Sequence, residues 1–153
     1  MKAGSGNRRA AAVRIRIANQ QDRLALDRGR LRKAVRTVLA DAAIARADIS
    51  LAVIDDPAMA ALNQQFLGHE GPTDVLSFVL DSGEGWLEGE VVVSADTAER
   101  QAPQFGWPAH DELLLYIVHG MLHMVGYDDR TPRQRSAMRR QERACLERIG
   151  DGG

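Results

Sequence analysis

DELLLYIVHGMLHMVG, residues 111–126, decides how this chain folds. Leu113, Leu114, Leu115, Tyr116, Ile117, Val118, Met121, Leu122, Met124 and Val125 leave almost no polar face. A helix apolar all round is buried at the centre of a domain. Into that helix, predicted over about 111–125 with Asp111 as its cap, the sequence sets His119 and His123. Four residues apart, they stand on one face, one turn above the other. Two imidazole nitrogens so placed can converge on one ion at roughly 2.0–2.1 Å each.

Gly126 stands where helices commonly end in a left-handed residue. A turn there carries Tyr127, Asp128 and Asp129 back towards the histidine face. Asp129 then offers a third ligand, in the pattern H-x3-H-x5-D, and spacing alone leaves Asp128 as the alternative. Three protein ligands with a fourth position open define a catalytic zinc site rather than a structural one. The plainer account, two hydrogen-bonded core histidines, does not explain the glycine and paired aspartates that follow.

Gly120 bears on the reaction. A zinc peptidase of the H-E-x-x-H type carries its general base at that position. Here there is no side chain, and the glycine lets something pack closely against the helix. Attack on a phosphodiester asks less of the protein, because the ion polarises the phosphoryl oxygen.

Outward from this helix, VRIRIAN (13–19) alternates apolar and polar residues and reads as a strand. Residues 28–45 carry apolar positions at helical spacing. ISLAVID (49–55) reads as a strand, followed by a helix that Asp56 caps and Gly68 ends. PTDVLSFVL (72–80) and EVVVSAD (90–96) read as strands, with DSGEGWLEG a loop between them. A short helix is predicted over 97–104, and Pro103 and Pro108 bracket a loop. Thr131, Pro132 and Gln134 form a capping box that opens a final helix. The sum is an α+β domain with a mixed sheet of about four strands and about five helices, the histidine helix at its centre.

With 153 residues and 44% hydrophobic content, the chain suits one domain, expected over 11–149 after a flexible tail at 1–10. One cysteine excludes an intramolecular disulfide, and Cys145, on an apolar stripe, reads as a buried hydrophobe. No apolar run suits a membrane span, and the N-terminus lacks a secretory core, so a cytoplasmic protein is expected. The net charge of −1 names no partner. The distribution says more, because residues 130–148 hold seven arginines, with Arg135, Arg139 and Arg143 at i, i+4, i+8. Such a stripe can track an RNA backbone.

HGMLHMVGYDD (119–129) resembles the H-G-x-L-H-L-x-G-Y-D-H signature of the YbeY family of bacterial endoribonucleases. LNQQFLGHEGPTDVLSF (62–78) is similar to that family's L-N-x-x-Y-R, a four-residue gap, then P-T-D-V-L-S-F. GEVVVSADTAERQA (89–102) is a weaker match. The resemblance covers residues 50–149. It implies a metzincin-like fold, one zinc ion on His119, His123 and Asp129, and cleavage of single-stranded ribosomal RNA. It also implies partnership with the small ribosomal subunit or its assembly factors. Thr73, Asp74 and Ser77 are then expected near the substrate.

Two departures matter. Asp129 stands where the family has a third histidine, and carboxylate is a competent zinc ligand. Leu67 replaces the family's arginine and Phe66 its tyrosine. Leucine cannot contact phosphate, so His69 and Arg100 are the candidates to compensate. The alternatives are a non-catalytic, metal-binding ribosome-assembly factor, which Leu67 favours, and a metallopeptidase, which Gly120 disfavours.

Overall fold

The computed structural model describes residues 13–67 and 74–150, with the side chains of Phe66 and Leu67 outside that set. The expected tail at 1–10, His69 and Thr73 lie outside the described residues. Four strands form one mixed sheet in the order β1 (Val13–Gln20), β2 (Arg46–Ile54), β4 (Trp86–Ser94), β3 (Val75–Gly83). β1 and β4 run parallel to β2, and β3 runs antiparallel to β4. The helices are α1 (Arg28–Asp41), α2 (Asp56–Leu67), α3 (Ala95–Phe105), α4 (Ala109–Met124) and α5 (Pro132–Ile149). The α+β class and the element count among the described residues match the sequence reading.

Alternation sorts each strand between two faces. Ile15, Ile49, Leu51, Val53, Leu87, Val91 and Val93 face the main core, with α1 and α4. Ile54, Leu76 and Val92 face the opposite way and pack with Met59 of α2. The histidine helix α4 lies at the centre, against α1, α3, α5, β3 and β4. Two glycines set how closely it sits on the sheet. A Cβ on Gly120 would lie 3.0 Å from methyl groups of Val75 and Val91, and one on Gly89 would lie 2.6 Å from Met124 Sδ.

Several expected boundaries move, each for a tertiary reason. The helix predicted over 28–45 ends at Asp41. Ala43 takes a left-handed φ of 59° and the amides of Ala45 and Arg46 bond to Gly85 O, so the chain turns back to begin β2 beside β4. The predicted loop DSGEGWLEG is a hairpin instead: β3 runs on to Gly83 and β4 starts at Trp86, around Glu84–Gly85. Asp81, Ser82 and Gly83 are poor strand formers. They are held by the ladder to β4, past a register shift between Val79 and Asp81.

Asp55, not Asp56, supplies the capping bond to α2, accepting from the Ala58 amide at 3.0 Å. Pro103 lies inside α3 rather than in a loop, and the helix ends at Gly106, with φ 72°. α4 starts at Ala109 without a side-chain cap; Asp111 instead pairs with Arg30 of α1 at 3.0 Å. The capping box on α5 is present as predicted, with Thr131 and Gln134 bonding reciprocally. Cys145 is buried, and burial pushes its thiol up to about 11.

Candidate metal centre and its cleft

α4 leaves its buried course at Gly126. The Tyr127 amide donates to Leu122 O at 2.9 Å and the Gly126 amide to His123 O at 3.1 Å. This is a Schellman-type ending. Gly126 has φ 113°, a conformation L side chains rarely adopt, so the glycine is required. The turn returns the chain to the histidine face, as the sequence predicts.

The two aspartates then part ways. Asp128 accepts from the Asp129 amide at 2.8 Å and pairs with Arg130. Asp129 Oδ2 turns to His123 Nε2 at 3.3 Å and to His119 Nε2 at 3.6 Å. The three ligand atoms lie within 4.8 Å of one another. A tetrahedral ion with bonds of roughly 2.0–2.1 Å needs ligand atoms about 3.3–3.4 Å apart. The His123–Asp129 edge meets that requirement and the His119–Asp129 edge exceeds it by a few tenths of an ångström, a set that closes slightly around an ion. All three groups are half-buried, so the set is reachable from solvent. Position 120, by contrast, points into the sheet between Val75 and Val91. A glutamate there would face the core and not the site.

Glu142 of α5 completes the arrangement. Its Oε2 lies 2.6 Å from His119 Nδ1. A carboxylate on the far ring nitrogen fixes the tautomer and leaves Nε2 as the metal-facing lone pair. Burial pulls the His119 pKa down. The Glu142 bond and the charges of Glu142, Asp74 and Asp129 outweigh it, and the net shift is upward. Metal must therefore displace a well-held proton. Arg135 braces the third candidate ligand, donating to Asp129 O at 3.3 Å and Arg130 O at 3.2 Å.

The site opens on a cleft of about 640 Å³, with His123 outside the residues that line it. Asp74, Arg100, Arg135 and Arg139 line it with His119, Asp129 and Glu142. Ser77 is not among its lining residues; it pairs with Val91 in mid-sheet and faces α4. Arg143 lines an adjoining groove instead. Arg100 is bonded to Asp56 and to Thr97 Oγ1, so much of its charge is spent inside the protein. The Asp56 carboxylate also accepts from Ser94 at 2.6 Å and Thr97 at 2.8 Å.

Sequence reasoning passed over Glu142. A signal existed: Arg135, Met138, Arg139 and Glu142 fall on one helical stripe, and all four line the cleft. An acid on that stripe, in so basic a helix, needed a partner. Glu112 was also missed. It is 3% exposed, lines the cleft and accepts from Trp107 Nε1 at 2.7 Å.

The fold and site define a class first: an α+β domain that groups two histidines and a carboxylate, on one central helix and its return turn, at the edge of an arginine-bearing cleft that His119 and Asp129 line. Comparison with known proteins gives the family. The family model described as Endoribonuclease YbeY matches residues 16–150. The endoribonuclease YbeY of Rhodopirellula baltica is 43% identical over 125 residues, 75% of this chain; the chain spans 64% of that protein's length. That of Pelotomaculum thermopropionicum is 38% identical over 146 residues, covering 88% of this chain and 96% of that protein. The solution structure of TM1509 from Thermotoga maritima superposes with a TM-score of 0.61 at 25% identity, over 88% of both chains. The chain belongs to the YbeY endoribonuclease family.

Proposed function

We propose that this protein is a zinc-dependent endoribonuclease that cuts single-stranded ribosomal RNA during ribosome maturation in the cytoplasm. The reading includes the small ribosomal subunit or its assembly factors as partners. Family membership supports the endoribonuclease class. The observation that carries the metal is the convergence of His119 Nε2, His123 Nε2 and Asp129 Oδ2. Among the described residues, no helix is long and apolar enough to cross a membrane.

A zinc ion held there supplies Lewis acidity towards a phosphoryl oxygen. The chain's own residues do the rest. Glu142 orients His119, and Arg135 holds the backbone of Asp129. Arg139 makes no ion pair among the described residues and faces the cleft, so it is the cation free to meet a phosphate. Asp129 carries a charge that a third histidine would not, which weakens the site's pull on phosphate.

The test pairs metal content with cleavage of a single-stranded RNA, for the wild type and Asp129→Ala. Zinc and cleavage are expected in the first and lost together in the second. A wild type that purifies without metal and cannot be loaded with zinc sinks the reading. Product ends identify the nucleophile: a 2′,3′-cyclic phosphate means that the ribose hydroxyl attacks.

A second reading, a non-catalytic assembly factor, is favoured by Leu67 in place of the family's arginine and by the engagement of Arg100 with Asp56. RNA binding without cleavage, unchanged by His123→Ala, distinguishes it.

A further inference from the structure

A second groove, of about 620 Å³, adjoins the metal cleft. The two share Leu115, Arg139 and Glu142, so a strand lying across the first reaches the second. Trp107 and Leu146 give the second groove apolar walls, and Arg143 stands at its side. The ring of Trp107 is held in place, because its Nε1 donates to the buried Glu112. Two residues earlier, Phe105 at the end of α3 is 64% exposed and lines the metal cleft. Tyr116 also lines that cleft but is buried; with only 5% aromatic residues in the chain, a solvent-reachable ring beside each groove is not a surface average.

The arginines of α5 divide in the same way. Arg135 bonds backbone oxygens, Arg140 bonds Ser136 and Arg148 bonds Asp41. Arg133, Arg139 and Arg143 make no hydrogen bond or ion pair among the described residues, and of these Arg139 and Arg143 line the second groove. Of the groove's carboxylates, Glu142 is turned to His119, which leaves Glu147 as the opposing acid. Rings for bases beside unpaired guanidinium groups for phosphates are the pattern of single-strand binding.

We propose that the corner between α3 and α4, with the facing side of α5, is a nucleotide subsite of the RNA strand. One unpaired base stacks on Phe105 inside the metal cleft. The next nucleotide enters the Trp107 groove, with Arg139 and Arg143 on its phosphates. This rests on the endoribonuclease reading and adds where the strand runs beyond the bond that is cut.

Short single-stranded DNA, which lacks the 2′-hydroxyl, serves as the probe, with the full chain carrying Trp86→Phe so that emission comes from Trp107. Saturable quenching is expected, weakened by raising the salt. Phe105→Ala and Arg143→Glu should each raise the Kd about tenfold, with circular dichroism reporting the retained fold. Binding of the probe with Trp107 emission unchanged, and with the same Kd in both variants, overturns the subsite whether or not the wild type cleaves RNA. Quenching that persists while wild type shows no cleavage keeps the subsite and rejects the nuclease reading. No binding at all overturns the subsite and leaves the nuclease reading to its own metal and cleavage test.

Discussion

The metal cleft has two walls, each with an aspartate at or behind its surface, and they are built to opposite ends. Behind the α3 wall, Asp56 is satisfied from within the protein: Ser94, Thr97 and Arg100 all donate to it. Burial disfavours its charge, but those donors more than compensate and hold its pKa below the ordinary 3.8. On the α4–α5 wall, Asp129 meets two imidazole nitrogens at 3.3 and 3.6 Å; that of His119 bears a lone pair when the ring is neutral, because Glu142 holds its Nδ1–H, and that of His123 donates or accepts according to its tautomer. A carboxylate surrounded by donors is complete and stabilises the fold. One that faces two ring nitrogens can share a cation with them, the metal taking the place of the proton they would otherwise hold. The same residue type thus reads as structure on one wall and as a candidate metal ligand on the other.

Removing a metal-facing group should have the largest effect. His123→Ala is expected to lose bound zinc almost entirely, with the fold kept, as read by metal analysis beside a thermal melt. Retention of zinc by that variant would break the contrast between the walls. Next comes the floor of the site. Gly120→Glu drives a carboxylate between Val75 and Val91 and should cost about 3 kcal/mol or more through overpacking and charge burial. Urea denaturation measures it. A stable, zinc-loaded Gly120→Glu protein with new peptidase activity would mean that this face of α4 reaches the site after all.

Glu142 sharpens the comparison, because it is the α4–α5 wall's own internal brace. Glu142→Ala is expected to weaken zinc binding about 10- to 100-fold. Glu142→Gln should fall between it and the wild type, since the amide oxygen still accepts from Nδ1–H. Competition with a chelator of known affinity gives the values.

The smallest effect belongs to the other wall. Asp56→Asn should lower stability by about 1–2 kcal/mol at pH 7, the cost of losing charge-assisted hydrogen bonds. Zinc content should not change. The folded pKa is depressed, so this stability is present above the unfolded value of 3.8 and fades as pH falls through the folded one. The gap in urea midpoint between wild type and variant should therefore narrow as the pH falls below 3.8 and on through the folded value. A gap that stays constant throughout acid titration would show that the carboxylate's charge is not what stabilises this wall.

Legibility in the sequence followed the range of the interaction. His119 and His123, the glycine turn and the Thr131–Gln134 box are set by contacts within about six residues, and all stand where the sequence puts them. The strand cores were readable from alternation. Three things were not. The β3–β4 hairpin was missed because Asp81–Gly83 owe their extended state to pairing with Trp86–Glu88. The choice of Asp129 over Asp128 depends on which carboxylate the return turn aims at the histidines. Glu142 meets His119 across 23 residues, through the docking of α5 on α4.

By itself, then, the sequence determined the class of the domain, its central helix and the pair of imidazoles. Periodicity and turn chemistry are local, and a buried apolar helix has few places to go. Only the tertiary structure decided which acids serve the site, which arginines remain unpaired, and that Phe105 and Trp107 flank the cleft. Those are relations between separate elements, and packing geometry rather than residue order settles where side chains from different elements meet.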